Sequence, residues 1–311
     1  MFSAGAGIAV VCVGVLSAAT FLPDPITFSN EPELTVIPVI TDPSDIALPV
    51  DQFLPSAEEI RTMQHGTYEA VATCMKEFGL DFEVQPEWYS KVSMFPVEGS
   101  EFSYARLYGL LDSEQAERKG YHAGPNTAAS AEDARREAER EAQRWRTLPD
   151  AYLNVLGAES GGGSYANRMI PQGGCLQEGK RQIEGSKIDL LVSYEEIMAQ
   201  SWAEASGDSR VQSVFAAWSD CMLRAGYSYQ SPWDANDDRR WGTITVSQLE
   251  IETAVADVSC KKRTNLVGVY SAVQGAYQYQ LINERSQELD AEVEAFDHVV
   301  EKAKSLLSVS D

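Results

Sequence analysis

Histidine and basic charge are scarce in this chain. His65, His122 and His298 are the only three histidines, they lie far apart, and the five cysteines form no Cys-x-x-Cys pair. These spacings do not make a zinc site, so no metal is expected and the cysteines are left for disulfides. Lys and Arg total 25 against 47 Asp and Glu, a formal net charge of −22. The one compact basic run, Lys261-Lys262-Arg263, is too short to replace phosphate counterions against that field. Nucleic acid is therefore not an expected partner, and an anionic membrane surface should repel the body of the chain. A single apolar segment and the lack of a glycine-rich nucleotide loop exclude a transporter core.

The N-terminus is equally poor in cations, with no Lys or Arg before Arg61. Phe2–Leu22 is apolar and long enough to cross about 30 Å of hydrocarbon. It reads as a signal peptide without the usual basic start, cut after Ala19, or as a retained membrane anchor. Either way the body is expected outside the cytoplasm, secreted or held to the membrane by this segment alone. Cys12 follows Ala9-Val10-Val11, a poor lipobox because a small residue should stand directly before the cysteine. Pro23–Pro55 holds seven of the thirteen prolines, which marks an extended linker over 23–55. Its Thr35–Ile40 stretch is apolar enough to lie along the domain instead.

Two runs of helical spacing organise the remainder. Val211, Val214, Phe215, Trp218, Cys221 and Met222 precede Gly226; Tyr68, Val71, Cys74, Met75 and Phe78 precede Gly79. Both read Cys-Met-x-x-x-Gly, followed by an aromatic-bearing piece and a proline. The expected fold is mainly α, with two disulfide-stapled helix–loop modules at 56–207 and 208–311. A charged helical insertion is expected at about 125–147 of the first, held on by Trp145. Capping boxes at Ser56-x-x-Glu59 and Ser247-x-x-Glu250 start helices. Four cysteines allow three pairings, and the repeat favours Cys74 with Cys175 and Cys221 with Cys260.

No proline follows Pro232, so a helical pattern from Ser247 can run to about Leu307. Its end carries Leu289, Val293, Phe296, Val300, Ala303 and Leu307 in steps of four and three, an a/d seam. Such a seam either folds back on its own body or forms a short coiled coil. In the second case the expected partner is an envelope protein or another copy of this chain.

Leu48-Pro49, Cys74-Met75-x-x-x-Gly79, Arg106-x-Tyr108-Gly109, Gly120-Tyr121-His122 and Ala217-Trp218-x-x-Cys221-Met222 form one ordered set. Ala254-x-Ala256-Asp257-Val258-x-Cys260 and Thr264-Asn265-Leu266-Val267 complete it. In order and spacing the set resembles uncharacterised secreted proteins and lipoproteins of actinobacteria. The resemblance implies an exported, largely helical protein and no particular activity.

Several motifs tempt a sharper reading. Ala158-Glu159-Ser160-Gly161-Gly162 departs from the serine-protease pattern at its first two positions, and a loop is the simpler reading. Asp234-Ala-Asn236-Asp237-Asp238 begins like a calcium loop, but Arg239 stands where glycine is needed and Thr245 where glutamate is needed. Capping of turns explains those acids better. Acid pairs such as Glu250 and Glu252 are not distinguished from the other acids. No catalytic motif or cofactor signature is present, so the expected function is a non-enzymatic interaction or accessory protein of the cell envelope, using the helix of Leu289, Val293, Phe296 and Val300. The alternative is a small-molecule or glycan binder using Tyr227, Tyr229, Trp233 and Trp241 on loop 227–241.

Overall fold

The computed structural model describes residues 30–86, 107–123, 147–157, 163–185, 192–243 and 245–310, with isolated positions between 135 and 143. The apolar segment 1–22, Trp88, nearly all of the insertion at 125–147 and the stretch 158–162 lie outside the described residues. The helices are α1 (Ala57–Glu77), α2 (Ser113–Lys119), α3 (Asp150–Leu156), α4 (Gly174–Ile183), α5 (Val192–Gly207), α6 (Ser209–Arg224), α7 (Pro232–Asn236), α8 (Gln248–Thr264), α9 (Leu266–Glu284) and α10 (Ser286–Ser310). A two-stranded hairpin, β1 (Ser164–Tyr165) and β2 (Arg168–Met169), sits between α3 and α4. The protein is mainly helical, as expected, and ends in a long helix.

The repeated motif is a helix-stopping device. In α1 the Leu80 amide donates to the Met75 carbonyl at 3.1 Å and the Gly79 amide to Lys76 at 2.9 Å. In α6 the Tyr227 amide donates to Met222 at 2.9 Å and the Gly226 amide to Leu223 at 3.0 Å. Both are Schellman caps, and Gly79 and Gly226 take the left-handed φ of 71° and 94° that such a cap requires. The cysteine one turn before each cap faces inward. Cys74–Cys175 joins α1 to α4, and Cys221–Cys260 joins α6 to α8, with Cα separations of 5.6 and 5.7 Å. Both pairings are those favoured by the repeat.

Small residues set the closest helix contacts. A Cβ on Gly66 of α1 would lie 2.7 Å from the Ala303 Cβ of α10, and one on Gly179 of α4 would lie 2.5 Å from Val71. The helix α1 is thus clasped between α4 and α10. Phe296, Val299, Val300 and Ala303 of α10 pack with Ile60, Met63, Ala70 and Ile183. Packing also crosses the sequence boundary at 207/208. Tyr108, Leu110 and Tyr121 share one core with Trp218, Val258 and Tyr270.

The proline-rich stretch lies along this body over its described part. Ile40, Ile46, Leu48 and Val50 are buried, and the Val50 amide donates to Gln278 Oε1 at 3.2 Å. The late helical pattern is interrupted where this stretch crosses it. Asn265 adopts φ 53° between α8 and α9, accepts from the Ile40 amide at 3.1 Å and donates to the Pro38 carbonyl at 2.8 Å. A second break falls at Arg285, whose guanidinium pairs with Glu196 of α5. One continuous helix to Leu307 is therefore three helices, because tertiary bonds at Asn265 outweigh a helical pattern free of proline.

Candidate functional site

A group of buried charged side chains lies on α8. Glu250, Asp257 and Lys261 recur at spacings of seven and four, so they share one face, and all three are fully buried. Opposite them stands the 3-10 turn Gly120–Ala123, which follows α2. Lys261 Nζ donates to Asp257 Oδ2 and to the Leu110 carbonyl, each at 2.9 Å. Asp257 also accepts from the Trp218 indole at 3.0 Å and the Tyr121 hydroxyl at 3.1 Å. Burial pushes the Asp257 carboxyl above the usual carboxylate range, against the pull of the Lys261 ammonium and the two neutral donors. Burial likewise pushes the Tyr121 phenol up, with Asp257 adding to it, so the hydroxyl stays protonated and donates.

Seven residues earlier on α8, Glu250 Oε1 accepts from the Tyr121 amide at 3.0 Å and meets His122 Nδ1 at 2.6 Å. His122 Nε2 lies 2.6 Å from the Thr243 carbonyl, which only accepts, so Nε2 carries a proton. When Nδ1 is protonated as well, it donates to Glu250 Oε1. Burial alone lowers the His122 pKa, but the bonds to Glu250 and Thr243 outweigh it and the net direction is upward. Glu250 Oε2 is buried without a hydrogen-bond partner. This polar seam clamps the 120–123 turn and the 243 loop onto α8. Its acids and bases are matched to each other, and it exposes no nucleophile.

The other residues singled out from sequence fall into three groups. The four cysteines are bonded and carry no reactivity of their own. Trp241 of the aromatic loop is buried, and its indole donates to the Ala235 carbonyl at 2.7 Å. Trp233 meets Phe215 and Trp202 edge-on and donates to the Leu107 carbonyl at 3.3 Å. Tyr227 is half-buried against the same core. The half-buried Tyr229 hydroxyl donates to Asp238 at 2.9 Å and accepts from Arg240 at 2.6 Å. The acids read against a calcium loop also have local work: Asp234 caps α7 through Ser231 at 2.9 Å, and Asp238 binds Arg240 at 2.7 Å. Arg240 holds the Asp238 carboxyl down to about 2.

The predicted seam of α10 is mostly spent within the chain. Leu289 is buried with Val50, Ile197 and Leu281, and Phe296 and Val300 are buried against α1. Val293 differs, remaining 37% exposed. It stands at a pocket of about 150 Å³ that is lined also by Phe53, Leu54, Ile60, Leu289 and Phe296. Carboxylates of Glu59, Glu292 and Asp297 line the same pocket. Glu59 accepts from the Ser56 amide and hydroxyl at 2.8 Å, and Glu292 from the Ser193 hydroxyl at 2.7 Å, so each acid also ties α1 or α5 in place.

The polar seam was not legible as a unit, although its members were in view. Tyr121, His122 and Asp257 lay in the resembling segments, and Glu250 was visible only as one acid of a pair with Glu252. Glu252 points outward. Lys261 sat in the basic run weighed against nucleic-acid binding; it is buried, and the spacing of four from Asp257 is the signal that pairs them. Among the described residues no cluster of three metal-ligating side chains occurs, and no helix is long and apolar enough to cross a membrane. Compared with protein-family models, curated proteins and solved structures, the chain shows no significant match.

Proposed function

We propose that this chain is an exported cell-envelope protein that binds a partner and transforms no substrate, with the contact surface on α10. The observation that carries this reading is Val293. Leu289, Phe296, Val300 and Ala303 of the seam are consumed by the chain's own core, while Val293 lines an open pocket between α10, α1 and the segment 52–55. The two disulfides support an oxidising compartment, because a cytosolic pool would keep such thiols reduced. The resemblance to secreted actinobacterial proteins agrees with export. The aromatic loop supports the glycan alternative less, since Trp233 and Trp241 give their indole N–H groups to backbone carbonyls.

Removing α10 would not test this, because that helix supplies Phe296, Val299, Val300 and Ala303 to the core. The test is a photo-cross-linking residue at Val293 in the native envelope, with a second copy of the chain counted as one kind of partner. A defined adduct at position 293 supports the reading, and no adduct at that position removes it.

A further inference from the structure

Resting on that reading of α10, we infer that the partner is recognised through one apolar side chain flanked by cations, presented by a basic segment of another protein. The pocket's size sets the first half of this. A volume of about 150 Å³ is that of a cavity that takes one benzene-sized group, which matches a single leucine or phenylalanine and not a helix face. Its floor is apolar, with Phe53, Ile60, Leu289 and Phe296 contributing carbon surface. The anchor therefore gains by leaving water, and gains nothing from a polar head.

The second half comes from charge. Glu59, Glu292 and Asp297 line the pocket, and Ser286–Asp297 carries five carboxylates and no Lys or Arg. Glu59 and Glu292 accept bonds from the Ser56 and Ser193 hydroxyls, and Asp297 is exposed. The nearest cations on α10 are Lys302 and Lys304, one to two turns further on, and Lys304 is tied to Glu301 at 2.8 Å. A cationic flank on either side of the anchor meets acids of opposite sign and speeds encounter, whereas an acidic flank is repelled. An uncharged apolar ligand would fill the pocket and leave the carboxylates unused.

The probe is a short synthetic peptide with one central leucine between lysines, titrated by fluorescence anisotropy into the full chain. Two relatives accompany it, one with alanine for leucine and one with glutamates for the lysines. The leucine peptide should bind at low salt and weaken as salt rises, with about a tenfold loss or more for the alanine relative and none bound for the glutamate relative. V293W, which fills the mouth, and D297K, which reverses its charge, should each reduce affinity while leaving the melting temperature unchanged, both positions being exposed. Equal affinity for the leucine and alanine peptides would mean adhesion to net charge alone and would overturn the inference, as would indifference to V293W and D297K. A cross-link at position 293 that the leucine peptide does not compete away would leave the α10 surface standing and reject this partner chemistry. Peptide binding without any native cross-link would instead reject the envelope partner.

Discussion

Replacing Lys261 by methionine removes one charge from a pair that is wholly out of water. In the native protein Asp257 accepts from Lys261, Tyr121 and Trp218, and Lys261 also satisfies the Leu110 carbonyl. Methionine has nearly the same reach but donates nothing. The Leu110 carbonyl then loses this donor, and the carboxylate keeps only neutral donors in a site with no exposure. Breaking a buried ion pair on one side costs about 3–5 kcal/mol, and this site belongs in that range because both acceptors lose the same ammonium. The loss should depend on pH in a defined direction. Without the ammonium, burial raises the Asp257 carboxyl further. A carboxyl whose folded pKa lies above its unfolded value keeps its stability below the unfolded value, about 4, and loses it as pH rises through the folded one. The deficit of K261M should therefore be small near pH 4 and fullest near neutrality. Urea unfolding followed by tryptophan fluorescence, repeated from pH 4 to 8, measures both features. The double variant D257N/K261M, which carries no buried charge, should recover part of the loss. A deficit under about 1 kcal/mol, or one that does not change with pH, would refute the account of this cluster.

His122 should give a second handle on the same seam, with the same sign at higher pH. Its net upward shift means that the Glu250 clamp is fully present below about pH 6.5 and is lost as pH rises through the folded value. Amide exchange at Tyr121, whose N–H is bound to Glu250, should accelerate beyond its ordinary base catalysis over that window. The variant H122Q should show no such step. Removing a disulfide as a Cys-to-Ala pair should cost at most about 4 kcal/mol for Cys221–Cys260, and slightly more for Cys74–Cys175, from loop entropy alone, the enclosed spacings being 39 and 101 residues. Chemical denaturation of the two double variants checks the order. Gly66→Ala should destabilise by about 1–3 kcal/mol, because its Cβ would meet the Ala303 backbone at 2.9 Å. Gly79→Ala meets nothing within 4 Å and should cost only about 1 kcal/mol of backbone strain, a difference that thermal melts will resolve.

Local signals in this chain were legible to the extent that they act locally. Ser56 and Ser247 cap α1 and α8 as their spacing required, and their side-chain oxygens accept at 3.2 and 3.1 Å. The cysteine pairing was readable because the same cap recurs twice and fixes which face each cysteine shares. Three features depended on contacts distant in sequence and were not readable. Asn265 ends α8 because it binds Pro38 and Ile40, more than 200 positions away. The hairpin turn at Ala166-Asn167 takes φ values of 48° and 61° without the Asn-Gly pair that normally announces it. Burial of Lys261 follows from the Leu110 carbonyl, which no periodicity on α8 reveals. The spacing of Leu289, Val293, Phe296 and Val300 marked a helix that the structure shows packed on the core and lining the pocket. Which of the four would face outward depended on α1 and the 49–53 turn, packed from elsewhere in the chain.

The most direct test of the partner-binding reading is site-specific photo-cross-linking on α10 in the native envelope, comparing Val293 with the exposed Lys302 nine residues further along the same helix. A defined adduct at 293 that the lysine–leucine peptide competes away, with none at 302, is the predicted result. Equal labelling at both positions, or none at 293, would contradict it.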